Sequence, residues 1–148
     1  MRDSITLAQY VHKRNGVALG AKHSMRNMLY RALGAKSFPV FWHYWNPIWG
    51  FYLSRYILQP LSGLVPNWFA VVATFFVSGA LHDLAISLVK WDISVLFTSW
   101  FTLMGFVVVL AKFWGVSYPQ FPWIVRACIN VLIVAGTFFV SKWVMGVF

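Results

Sequence analysis

The sequence predicts an all-α integral membrane protein: three to four transmembrane helices preceded by a basic amphipathic interfacial helix. Two observations carry that prediction. Hydrophobic residues make up 60% of the chain and charged residues only 10%, whereas soluble domains carry about 25% charged residues. Apolar stretches of spanning length also recur through the second half, with tryptophans near their ends. The chain divides into a basic N-terminal region, 1–37, and a membrane-embedded helical domain, 38–148.

Taken in order, residues 4–14 read as a short helix capped by Asp3 or Ser4. Gly16 and Gly20 mark a joint, and Gly20-Ala21-Lys22 lacks the spacing of a phosphate loop. From Ser24, Met25, Met28, Leu29, Ala32 and Leu33 recur at helical spacing, with Arg26 and Arg31 off the stripe and Gly34 at the end. This is a basic amphipathic helix suited to the headgroup plane, with nothing else in the chain to pack against. Residues 38–60 are aromatic and apolar but broken by Pro39, Pro47 and Pro60; a short or kinked span and an interfacial element both fit. Residues 67–89, 93–114 and 123–146 are clearer spans, each above the roughly 20 residues that cross a hydrocarbon core of about 30 Å.

The net charge of +9 is concentrated early: Arg2, Lys13, Arg14, Lys22, Arg26, Arg31 and Lys36 precede residue 37, against one acid, Asp3. A basic segment beside apolar spans reads as a cytoplasmic flank facing anionic lipid, so the bilayer is the expected partner. No nucleic-acid reading module accompanies the charge, and nucleic acid is not expected. If 41–60 crosses, both termini and the Lys90–Asp92 turn are cytoplasmic and the opposite loops, 61–66 and 115–122, hold no Lys or Arg, an asymmetry that supports four crossings with both termini inside. If it does not cross, the Lys90–Asp92 turn moves to the other side. The plasma membrane and the endoplasmic reticulum are not distinguished. Residues 1–37 contain no continuous apolar run, so no cleavable leader is expected. The single cysteine, Cys128, excludes an internal disulfide and reads as a buried thiol.

His82 is the sharpest chemical feature. It lies about 22 Å along the second apolar stretch at 1.5 Å per residue, so it sits below the membrane surface. Ala70, Ala73, Thr74, Val77, Ser78, Leu81, His82 and Ala85 share one helical stripe, and small residues there favour a neighbouring helix over lipid. A buried ionisable group in a span points to function; a neutral histidine bonded to Ser78 is the structural alternative. Asp83 points roughly 100° away and is expected to cap a turn, meet Lys90 or line another wall. Ser78-His82-Asp83 is therefore misplaced for a hydrolase relay. Within Phe41-Trp42-His43-Tyr44-Trp45-Asn46-Pro47, Asn46 either starts or ends a helix or bonds a ligand, since its amide must find partners. His43 reads as interfacial. Arg126, Asn130 and Thr137 are polar positions on the last span that would suit a cavity wall, with Arg126 favouring the interface. No ligand-spaced pair supports a metal site.

At these residues the sequence resembles the membrane-bound O-acyltransferase family, which includes sterol, diacylglycerol, Wnt and teichoic-acid acyltransferases. The matching motifs are Phe41-Trp42-x-x-Trp45-Asn46 and Val77-Ser78-Gly79-Ala80-Leu81-His82-Asp83, with Asn46 and His82 36 positions apart. The resemblance covers roughly residues 38–90. It implies acyl transfer from a thioester donor, acyl-CoA as co-substrate, to a hydroxyl acceptor, with no permanently bound cofactor. His82 would be the general base and Asn46 would orient a reactant; Trp42, Trp45 and Ser78 would line the substrate site. A neutral imidazole suits the base's task because it takes up a proton near physiological pH. Family members have around eight or more spans and this chain supplies three or four. A homo-oligomer or a partner membrane chain would complete the chamber, or the chain is a shortened relative without catalysis. Two rivals stand beside this reading: a non-catalytic membrane subunit that assembles with partner helices, and a transporter-like element using His82 as a proton relay.

Overall fold

The computed structural model describes residues 5–146, and among them every regular element is helical. Helix α1 (Leu7–Asn15) begins at Thr6, whose hydroxyl accepts from the Gln9 amide while the Gln9 side chain accepts from the Thr6 amide. This reciprocal cap satisfies two orphan donors at once. Asp3 and Ser4, the caps expected from sequence, lie outside the described residues. Helix α2 (Ser24–Leu33) is tied to α1 through Asn15, whose side-chain amide donates to the carbonyl and hydroxyl of Ser24.

Contrary to the expectation that α2 has nothing to pack against, it docks on α3 (Phe38–Tyr44) and on the last long helix, α8 (Trp123–Val144). The junction is a polar knot. The Asn130 amide donates to the carbonyls of Leu33 (2.9 Å) and Ala35 (3.2 Å), and its oxygen accepts from the Tyr118 hydroxyl (2.5 Å). The Tyr118 amide donates to Lys36 O, and the Trp123 indole donates to Tyr30 O while stacking on the Tyr30 ring. Asn130 and Thr137 are thus engaged within the fold, Thr137 accepting from the Trp100 indole. Cys128, expected to be buried, is exposed on α8.

Three helices are long and apolar enough to cross a membrane: α6 (Asn67–Lys90), α7 (Leu96–Phe113) and α8. At 1.5 Å per residue they run about 27 to 36 Å, matched to a hydrocarbon core of about 30 Å. Each begins within two residues of the predicted start except α7, which starts at Leu96 after a turn in which the Ser94 hydroxyl bonds Asp83. Helices α6 and α7 approach closely at Gly79, where an added Cβ would lie 2.5 Å from Phe97 O and 2.7 Å from Thr98 Cα. The close contact thus falls at a residue beside the predicted stripe, while Leu81 and Ala85, placed on it, are exposed. Asp83 caps α7, its carboxylate accepting from the hydroxyls of Ser94 and Thr98 and the amides of Phe97 and Thr98.

The proline-interrupted segment does not make a fourth crossing. Helix α3 enters beside the loop that carries Tyr118, and its Trp42 reaches Phe75 and Phe101 on α6 and α7. The chain then breaks at Trp45–Asn46. It returns through α4 (Pro47–Leu53), a π-helical turn over Ser54–Leu58 and α5 (Gln59–Ser62), ending four residues from the start of α6. Entry and exit therefore lie at the same end of the bundle, as in a re-entrant hairpin. The four-crossing arrangement expected from the loop charges is corrected on this point: Lys36 and the 115–122 loop are neighbours rather than on opposite sides. Phe38 and Phe41 of the hairpin join Val71, Met104 and Val108 in the main apolar core.

Candidate functional site

Between the hairpin and the α6–α7 pair lies a cleft of about 390 Å³. Its walls are largely aromatic and aliphatic, as expected of a small-molecule site. The structure brings all five site residues chosen from sequence to it: Trp42, Trp45, Asn46, Ser78 and His82. His43, read as interfacial, is exposed at its edge, and Arg14 and Lys112 also line it, with no carboxylate among the lining residues. Arg126, Asn130 and Thr137 are absent from its walls.

His82 is half-buried on α6, inside an aromatic cage. Its ring stacks on Phe97 at 5.9 Å, tilts against Phe101 at 5.0 Å and packs T-shaped with Trp49 at 6.0 Å. Nδ1 lies 2.7 Å from the Ser78 carbonyl. A carbonyl can only accept, so Nδ1 carries the hydrogen, and in the neutral ring Nε2 holds the lone pair. Nε2 has no partner among the described residues, yet it is not sealed off as the Trp42 indole N–H is. The free lone pair of the imidazole therefore belongs to an accessible atom of a cleft residue.

Asn46 occupies the break of the hairpin with φ of 40°, a left-handed conformation that asparagine tolerates better than most residues. Its Oδ1 accepts from the Trp49 amide at 3.2 Å and so caps α4. Of the two structural roles expected of Asn46, the structure shows the start of a helix at Pro47, yet the cap uses only the oxygen. The amide NH₂ makes no hydrogen bond among the described residues, leaving two donors for a ligand.

No family model, characterised protein or solved structure matches this chain. The chemistry of the cleft has to be read from its own atoms.

Ser78 is nearly buried and does two things: its carbonyl takes the His82 ring hydrogen and its hydroxyl accepts from the Trp49 indole at 2.9 Å. Sequence reasoning missed Trp49, one aromatic among many in the proline-broken segment 38–60. Its position three residues after Asn46, where a capping side chain bonds the backbone, was the available signal. Phe97 and Phe101 were also missed, although their spacing of four puts them on one face of the next helix. Asp83 points to α7 and makes no contact with the imidazole, which removes a Ser-His-Asp relay. Among the described residues no three His, Cys, Asp or Glu side chains converge on a common point.

Proposed function

We propose that this chain is a membrane-bound acyltransferase of the O-acyltransferase type, with His82 as general base and Asn46 orienting a reactant. The observation that carries the reading is that His82, whose Nε2 has no partner among the described residues, lines the same cleft as Asn46. The resemblance of the Trp-Asn and Ser-x-x-x-His segments to that family supports it. In the reaction, an acceptor hydroxyl attacks the thioester carbonyl as Nε2 takes its proton. The new C–O bond forms, the C–S bond breaks, and the imidazolium returns the proton to the departing thiolate. The free NH₂ of Asn46 is a donor suited to the carbonyl oxygen on which negative charge develops. Apolar walls fit an acyl chain, and Arg14 and Lys112 favour a donor that bears negative charge.

By the positive-inside rule, the bundle end that holds Lys36, Lys112 and Arg126 faces the cytoplasm, together with the N-terminal basic region.

The test is transfer of palmitoyl from palmitoyl-CoA to a panel of lipid and sugar alcohols by the full chain in lipid nanodiscs. His82→Ala should lower the rate by about 10²- to 10⁴-fold without changing thermal unfolding. Equal rates in the variant would end the assignment. A His82→Ala chain that fails to insert or assemble would favour the membrane-subunit reading, and a nanodisc mass measurement would show whether one copy acts alone.

A further inference from the structure

Asn46 and His82 sit on different elements, the hairpin and α6, and a continuous line of three hydrogen bonds joins them. The Trp49 amide donates to Asn46 Oδ1 (3.2 Å), the Trp49 indole donates to Ser78 Oγ (2.9 Å), and His82 Nδ1 donates to Ser78 O (2.7 Å). Trp49 is the residue in this line that touches both elements, and its ring also meets the imidazole edge-to-face at 87°. We infer that Trp49 is the positioning residue of the cleft: it sets the register between Asn46 and His82 and, through Ser78, fixes which imidazole nitrogen is free.

The physical case is one of competing partners. A neutral imidazole has two tautomers of similar intrinsic weight, and the hydrogen bond made by one nitrogen decides which nitrogen keeps the lone pair. In a helix the Ser78 carbonyl already receives the backbone amide of residue 82, so the ring hydrogen must use its second lone pair. That geometry demands one ring orientation. Trp49 enforces it as a third ring of the cage beside Phe97 and Phe101, and the indole bond to Ser78 Oγ keeps the hairpin seated while it does so. A serine hydroxyl without that donor is free to rotate onto the helix's own carbonyls.

The inference rests on the acyl-transfer reading for its consequence, and on geometry alone for its test. Ring-labelled histidine in the full chain in nanodiscs is read by nitrogen NMR, with the His82 signals assigned by His82→Gln. The wild-type ring should show a protonated Nδ1 and a bare Nε2. Trp49→Phe keeps an aromatic wall and deletes the indole N–H. With the hairpin no longer tied to Ser78 Oγ, the ring loses its fixed orientation. The ratio of the Nδ1–H to the Nε2–H form should then fall by up to roughly tenfold, the limit set by weakening one hydrogen bond, because the Ser78 carbonyl itself remains. Ser78→Ala should do the same, and the double variant should add nothing. In the palmitoyl-CoA assay, Trp49→Phe should reduce kcat by about tenfold with KM unchanged and the pH profile displaced. His82 signals in both single variants identical to wild type would overturn the inference. Should Trp49→Phe fail to fold, Ser78→Ala, which loses one hydroxyl, decides the matter alone. Because the tautomer is read without substrate, a wild-type chain that transfers no acyl group would sink the enzymatic reading and leave this one standing.

Discussion

Asn130, in the junction between α2 and α8, has no exposed surface and spends its amide entirely inside the chain, on Leu33, Ala35 and Tyr118. Asn46, at the break of the hairpin, is exposed, and its NH₂ is free among the described residues. The same contrast separates the neighbours Asp83 and His82. Asp83 is buried and takes four hydrogen bonds from the start of α7, while His82 uses one nitrogen for support and leaves the other open. A polar group whose capacity is exhausted by its own chain holds a fold. One that is half satisfied, beside a cleft, is poised for something else.

The contrast can be broken by substitution, and the expected losses of stability fall in order. Asn130→Leu should be the worst, because two carbonyls and the Tyr118 hydroxyl lose their partner in a buried place. A loss of about 3 kcal/mol is expected in nanodisc unfolding, with catalytic rate per folded chain unchanged. Asp83→Asn comes next at about 2 kcal/mol, since charge-assisted bonds become neutral ones; amide exchange at Phe97 and Thr98 should rise with it. Tyr118→Phe should cost about 1 kcal/mol near neutral pH and also change the alkaline limb. Burial pushes the Tyr118 hydroxyl from 10.0 up to about 12. The fold therefore favours the neutral phenol, and that contribution is complete below pH 10.0 and lost as the pH rises towards about 12. A stability profile over that range should be shallower in Tyr118→Phe than in wild type.

Asn46→Ala sits at the far end. Removing an exposed cap should cost about 1 kcal/mol or less, yet acyl transfer should fall by about 10²-fold. If Asn46→Ala proved as damaging to stability as Asn130→Leu, the distinction between the two regions would collapse.

The long elements were legible because their signal is collective: α6, α7 and α8 are set by more than a dozen apolar residues each, so no single position could mislead. The hairpin was less legible because its path depends on where three prolines and one left-handed asparagine turn the chain. Loop charge then pointed to a crossing that the contact between Lys36 and Tyr118 excludes. Within the cleft, His82, Ser78 and Asn46 stood out as polar groups in apolar surroundings. Trp49 did not, since an indole among aromatics carries no mark until its N–H is seen to meet Ser78. Asn130 shows the reverse failure. Alone on a span it resembled a cavity residue, and only the carbonyls left over at the end of α2 explain it.

At Gly79 the main chains of α6 and α7 touch, and not even a methyl group fits between them. The spacing of the helix pair that backs the cleft is therefore fixed by its main chains, whatever side chains those helices turn toward the cleft. The opposite side, from Pro39 to Leu58, is shaped by replaceable rings and alkyl groups. Laboratory selection for a larger or smaller guest would be expected to collect its changes on that second side and to leave position 79 untouched.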